Sequence, residues 1–339
     1  CKDPESACYI FRSPTAYVAN LAAAGVDWVS VANNHASDFG EAGRHSTRTA
    51  LQMAGIAWSG PVGEETILQV RGTKVGLLAF STSPGQNSLR RIDLAQAAVA
   101  ELAGKADLVV VSFHGGAEGA GAQHVSPGVE SFHGEDRGDV QAFAHAVIDA
   151  GADLVVGHGP HVLRGMELYR DRLIAYSLGN FATYGGFNLS GPNGLTVLLL
   201  AELHPDGRLA GGQLVSGRQV PPGGPVLDPS GEAVALVRAL SQQDLGSVAA
   251  PIGEDGVILG VPAGDEVPPG GWADHDGMFD HEFGDAAGGE GAAEAEGEAT
   301  PSEATPSEAT PSEATPSEAT PAVELGAGAW GSPAPEEGE

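Results

Sequence analysis

The sequence predicts an α/β fold with mixed sheets, and three observations carry that prediction. Strand-like apolar runs alternate three times with helix-like segments before a set of hairpins begins. Glycines stand where the helical segments should stop. Asn, His and Gly cluster just past the carboxyl ends of the apolar runs, where open α/β sheets bind ligands.

In chain order, Ser13-Pro14 reads as an N-cap and first helical position for a helix over 15–24, stopped by Gly25. A buried strand at 26–32 ends in Asn33-Asn34-His35, and a helix at 41–54 closes at Gly55. Strands at 67–70 and 74–80 meet across Gly72-Thr73, and an alanine-rich helix covers 94–103. The cleanest strand, 108–113, runs into His114-Gly115-Gly116. A glycine-rich loop over 115–138 follows, carrying Glu118, His124, Glu130, His133 and Glu135. Helix 140–150 ends at Gly151, and strand 154–156 breaks into Gly157-His158-Gly159-Pro160-His161. Residues 166–169 and 173–177 form a hairpin around Arg170-Asp171-Arg172. Strands at 195–203 and 209–215 meet across His204-Pro205-Asp206-Gly207, and 232–240 is the last helix.

Charge divides the chain into a folded domain over 1–250 and a tail over 251–339. The tail holds 21 of the acidic residues and no Lys or Arg, and Ala-Thr-Pro-Ser-Glu repeats four times from Ala299 to Glu318. Proline every fifth residue and few large apolar groups predict a disordered, solvated spacer. Within it, His275, His281 and their neighbouring aspartates read as plain acidity rather than a cation site. No basic footprint exists to neutralise phosphates, which argues against nucleic-acid binding. No apolar run approaches the roughly 20 residues of a transmembrane helix. Cys1 and Cys8 are the only cysteines; their spacing suits a small disulfide loop, with a lipid-modified Cys1 or an incidental ligand pair as the other readings.

The strand-end residues carry the chemistry. Asn34, His114, His158 and His161 are suitable ligands for a divalent transition metal, which can polarise a phosphoryl oxygen and supply hydroxide near neutral pH. His35, beside Asn34, can protonate a leaving oxygen as a general acid. Asn33, Glu118 and Asn180 are candidates for binding substrate or for supporting the ligands, whereas His124, His133 and Glu135 read first as solvent-facing. His45 and His145 lie on helices and read as structural, and Ser177 lacks the partners of a serine nucleophile.

These motifs together resemble a family. Ala32-Asn33-Asn34-His35, Asp38-Phe39-Gly40, His114-Gly115-Gly116-Ala117-Glu118, Gly151-Ala152-Asp153, Gly157 to His161 and Tyr176-Ser177-Leu178-Gly179-Asn180-Phe181 look like the CapA family of capsule and poly-γ-glutamate synthesis proteins. The resemblance covers about residues 9–245 and implies a four-layer α/β/β/α sandwich similar to calcineurin-like metallophosphoesterases. It implies that Asn34, His114, His158 and His161 hold metal and that His35 assists the leaving group. It further implies an extracytoplasmic cell-envelope protein that makes or exports an anionic polymer with membrane synthesis machinery. The rival expectation is a non-catalytic assembly factor holding polymer in the same cleft. Two departures stand out. A strand ending in Gly-Asp, expected before residue 1, is missing, so the chain reads as amino-terminally truncated and its metal site as short of a carboxylate. Gly159 stands where many members carry another His.

Overall fold

Val109, Val111 and Phe113 alternate with Val110, Ser112 and His114, and this period of two sorts the central strand into a packing face and a polar face. The computed structural model describes residues 9–183, 187–221 and 224–263. Cys1, Cys8 and the repeat tail lie outside those residues. The elements in chain order are α1 (Val18–Ala23), β1 (Trp28–Ser30), α2 (Gly40–Met53), β2 (Ala57–Ser59), β3 (Thr66–Val70), β4 (Thr73–Ser81), α3 (Ile92–Ala103), β5 (Leu108–His114), β6 (Glu130–Phe132), β7 (Glu135–Gly138), α4 (Val140–Asp149), β8 (Leu154–His158), β9 (Met166–Tyr169), β10 (Arg172–Ala175), β11 (Leu195–Leu203), β12 (Leu209–Gln219), β13 (Pro225–Leu227), α5 (Glu232–Leu245) and β14 (Val257–Leu259).

The fold is α/β with mixed sheets. A six-stranded sheet runs β3-β4-β5-β8-β10-β9; its four inner strands are parallel and both edges are antiparallel hairpin partners. On one face, Phe80, Val111, Phe113 and Val155 bury against Val99 and Leu102 of α3 and Phe143 and Val147 of α4. On the other, Leu173 and Ala175 pack on Leu195, Val197 and Leu214 of a second, antiparallel sheet, with Ala233, Val234 and Val237 of α5 in the same core. Leu198 and Leu200 of β11 alternate away from that core and are half exposed.

Hairpin turns follow the residues that tolerate them. Arg71-Gly72, His133-Gly134 and Arg170-Asp171 all take positive φ at both central positions, the twist that matches flanking strands. Asp139 caps α4 by accepting the Ala142 N–H.

Several expectations are corrected. The strand at 26–32 shortens to β1, because the Ala32 N–H turns back to the Ser30 hydroxyl. Its partner β2 lies in a segment of three residues, too short for periodicity to reveal. The helix at 15–24 opens as a 3-10 turn at Thr15–Tyr17, and Ser13 does not cap it. The loop at 115–138 contains the β6–β7 hairpin, whose charged residues hide its strand character. α5 runs five residues past 240, and β14, beyond 250, pairs with β12.

Candidate functional site

The parallel register fixes the floor of the site. Ser81, His114 and His158 are direct neighbours across the carboxyl ends of β4, β5 and β8, on the face turned away from α3 and α4. His114 Nδ1 and His158 Nδ1 lie 2.9 Å apart, and His158 Nε2 is 3.2 Å from the Ser112 hydroxyl. Arg137 Nη2 donates to His114 Nε2 over 3.4 Å. Arginine only donates, so His114 carries its hydrogen on Nδ1, His158 Nδ1 accepts it, and His158 Nε2–H donates to Ser112. Burial pushes His158 down to about 4, helped by the nearby charge of His161. Burial also holds His114 well below its ordinary value, reinforced by the charges of His158, Arg137, His161 and His35. Both rings are therefore neutral at pH 7, the form in which imidazole ligates metals.

The turn after β8 forms one wall, and glycine is required in it twice. A Cβ at Gly157 would enter the Tyr176 carbonyl oxygen and the Phe113 ring. Gly159 has φ +121°, and a Cβ there would sit 2.8 Å from the Gly115 carbonyl oxygen, so the turn in this shape excludes a side chain at 159. The turn is tied to the loop after β5 by Gly115 N–H to His158 O and Gly119 N–H to Pro160 O. His161 takes φ +59°, a left-handed conformation unusual for a non-glycine residue and found here outside any hairpin turn. Asn180 holds it. The Asn180 amide donates to His161 O and Asn193 O at 3.0 and 3.2 Å, which leaves Oδ1 to accept from His161 Nδ1 at 2.7 Å. The lone pair of His161 is thus on Nε2, which lies 3.9 Å from Glu118 Oε2.

The turn after β1 forms the facing wall. Asn33 Oδ1 accepts the His35 N–H at 2.8 Å, so Asn33 shapes the turn. Asp38 accepts from His35 Nδ1 at 3.0 Å and from the Phe11 N–H at 2.8 Å. That leaves His35 Nε2 as its working nitrogen. The half-buried Asn34 sits beside it in the same turn. Phe11 packs edge-on against His35 and stacks on Phe187, and Phe187 lies 5.7 Å from the His161 ring, so an aromatic bridge joins the two walls.

Contacts therefore link His114 to His158, Glu118 to His161 and His161 to Asn180, and the Phe11–Phe187 bridge brings His35 next to them. Sequence reasoning missed Arg137, Ser112, Phe11 and Phe187, and quoted Asp38 within a motif without giving it a role. Only Asp38 had a visible signal, three residues after His35 in a turn. Other histidines lie elsewhere: His124 pairs with Asp244 at the surface, His133 forms a hairpin turn, and His145 on α4 pairs with the buried Glu167, which also accepts from Tyr176. Toward a metal, the fit is partial. The His114 and His158 Nδ1 atoms lie close enough, 2.9 Å, to serve one cation only if the hydrogen between them moves to His114 Nε2. Among the described residues, however, no three His, Cys, Asp or Glu groups converge on a common point.

The comparisons with known proteins agree with the motifs. Residues 1–184 match PGA_cap, the bacterial capsule synthesis protein family. The chain is 33% identical over 179 residues to a capsule biosynthesis protein CapA of Bacillus anthracis, covering 47% of this chain and 40% of that one. It is 32% identical over 168 residues to the PGA biosynthesis protein CapA of Bacillus subtilis, covering 44% and 40%. A probable polyglutamine synthesis accessory protein of Mycobacterium tuberculosis is 33% identical over 225 residues, covering 57% and 54%. The matches thus span about half or less of each relative's length. With more than half of its residues matched, the chain belongs to the bacterial capsule synthesis protein PGA_cap family.

Proposed function

We propose that this protein takes part in making or exporting a capsular anionic polymer such as poly-γ-glutamate at the cell envelope, alongside membrane synthesis machinery. We further propose that its histidine cleft is a phosphoesterase-like site. The observation that carries the second reading is the pairing of His35 and His161. Each has Nδ1 tied by a partner, Asp38 and Asn180 respectively, and each keeps Nε2 for other work across a shared cleft. His35, its ring oriented by Asp38 at Nδ1, gives a proton from Nε2 to a leaving oxygen; such general-acid steps contribute about 10² to 10⁴ in rate. Asn34, His114, His158 and His161 are the proposed holders of a divalent transition metal, which when bound would polarise a phosphoryl oxygen. Holding metal on the His114–His158 pair would require the His114 hydrogen to sit on Nε2, and no proton need leave because both rings are already neutral.

The test is metal content by mass spectrometry together with turnover of bis-p-nitrophenyl phosphate and p-nitrophenyl phosphate under added Mn²⁺ or Zn²⁺. His158→Ala should lower bound metal, and His35→Ala should lower kcat with metal retained. A protein with neither bound metal nor turnover would sink this reading.

One observation favours a second reading. The lack of three converging ligands among the described residues suits a non-catalytic factor that holds polymer in the cleft. Replacing His161 with Ala separates the two: lost polymer production with polymer binding intact favours catalysis, and lost binding favours the assembly role.

A further inference from the structure

Arg137 is 1% exposed, yet its guanidinium is poorly satisfied. Nε has no hydrogen-bond partner, and Nη2 reaches His114 only at 3.4 Å. Nη1 lies 2.7 Å from Glu118 Oε1, but the carboxylate sits off the N–H direction, so Oε1 has no hydrogen bond either. The contact is Coulombic without being a good hydrogen bond. Glu135, 4.0 Å away and largely exposed, adds little. Arg164, equally buried on the turn between β8 and β9 and bonded to the 115–138 loop, shows what a structural arginine does. Its Nε donates to Ala122 O at 2.7 Å, and its two terminal nitrogens clasp Glu130 at 2.8 and 2.6 Å. A native buried polar group without partners asks for an explanation.

We propose that the Arg137 guanidinium is a seat for an oxyanion, carboxylate or phosphoryl, and that the Glu118 carboxylate covers this seat until a ligand displaces it. The inference rests on the reading of the cleft as a polymer or phosphoester site and names the ligand group that the site recognises. Glu118 is a short-armed stand-in for such a group. Its side chain is 16% exposed and lies between Arg137 and His161, so it forms the solvent side of the seat. Its backbone is tied on both sides, Gly116 N–H to Arg137 O and Gly119 N–H to Pro160 O at 2.9 Å, so the carboxylate leaves the seat by rotation of its side chain alone. A planar, always-charged guanidinium matches two oxygens of one anion in a way an ammonium does not.

The test is calorimetric binding to the full chain, stripped of metal, with inorganic phosphate and a glutamate trimer as separate probes. Glu118→Gln removes the competing charge and keeps the shape, so it should tighten the preferred probe about tenfold, the worth of one charge-assisted hydrogen bond. Arg137→Lys should weaken it by about the same factor. Tighter binding of phosphate identifies a phosphoryl ligand, and tighter binding of the trimer a carboxylate-bearing polymer. Circular dichroism shows whether the Arg137 variant folds; if it does not, Glu118→Gln and Glu118→Ala still decide. Unchanged affinity for both probes in the Glu118 variants overturns the seat. A tightened probe in a protein that turns over no phosphoester overturns the catalytic reading and leaves the seat standing.

Discussion

On the helix side of β5, Phe113 is fully buried among Phe80, Phe143 and the Gly157 backbone. On the other side of the same strand, Ser112 and His114 are 6% exposed, almost as deeply buried, and their side chains meet the polar groups of His158 and Arg137. One face is held by packing and the other by donors matched to acceptors. The difference teaches where to look for chemistry. A polar row buried at the carboxyl ends of parallel strands is costly unless every group finds a partner, so its partners reveal how it works. The comparison breaks first on the packing face. Phe113→Ala should cost about 3 to 5 kcal/mol, because the Phe143 edge it meets is itself held by Phe80 and cannot collapse into the cavity. Urea melts at pH 7 measure this directly.

The polar face should fail differently, through protons. His158 has a folded-state pKa near 4, below the ordinary value of 6.5, so the native state prefers the neutral ring. The sign follows: stability is fully present above about pH 6.5 and is lost as pH falls toward 4, because the unfolded chain takes up the proton first. The shift corresponds to about 3 kcal/mol over that window in the metal-free protein. His158→Gln should flatten that part of a pH–stability curve, whereas Phe113→Ala should shift the curve down without changing its slope. An unchanged slope in the His158 variant would place the acid sensitivity elsewhere.

How much of this was legible in the sequence follows from the same contrast. The strands of the central sheet and the histidines at their ends could be read because period-two runs and glycine stops are local signals. His114, His158 and His161 were singled out by that route, and the structure places the three near one another at the carboxyl ends of β5 and β8. Arg137 could not be found. It sits in a stretch of charge, Glu135-Asp136-Arg137, that reads as solvent-facing, and only the β6–β7 hairpin turns it under His114. The Ser112–His158 contact was equally hidden, since residues 46 apart meet only through sheet register. β2 was missed for a related reason: three residues are too few to show a period.

Within the cleft, the support of His161 gives a smaller effect. Asn180 is 7% exposed and bonds His161 Nδ1, His161 O and Asn193 O, so it holds both the ring and the left-handed backbone beneath it. Asn180→Ala should cost about 2 kcal/mol, the net worth of two to three hydrogen bonds. It should also free the ring, so that nitrogen chemical shifts of His161 report a mixture of tautomers in place of Nδ1–H alone. Retention of the single tautomer would show that another group fixes the ring.

The finest test of the two faces is Ser112→Ala, which removes one oxygen next to Phe113 without touching the packing side. The loss leaves His158 Nε2–H buried without its acceptor, at a cost of about 1 kcal/mol, at the low end for an orphaned donor because His114 still holds the other nitrogen. The directional argument gives a sharper readout than stability. Arg137 can only donate, so the hydrogens run from Arg137 through His114 to His158 and end on Ser112. With Ser112 gone, Arg137 still sets the order through His114, so the His158 nitrogen shifts should keep reporting Nε2–H while stability falls. If the His158 shifts move toward Nδ1–H, the order of the chain is set from the Ser112 end and not from Arg137.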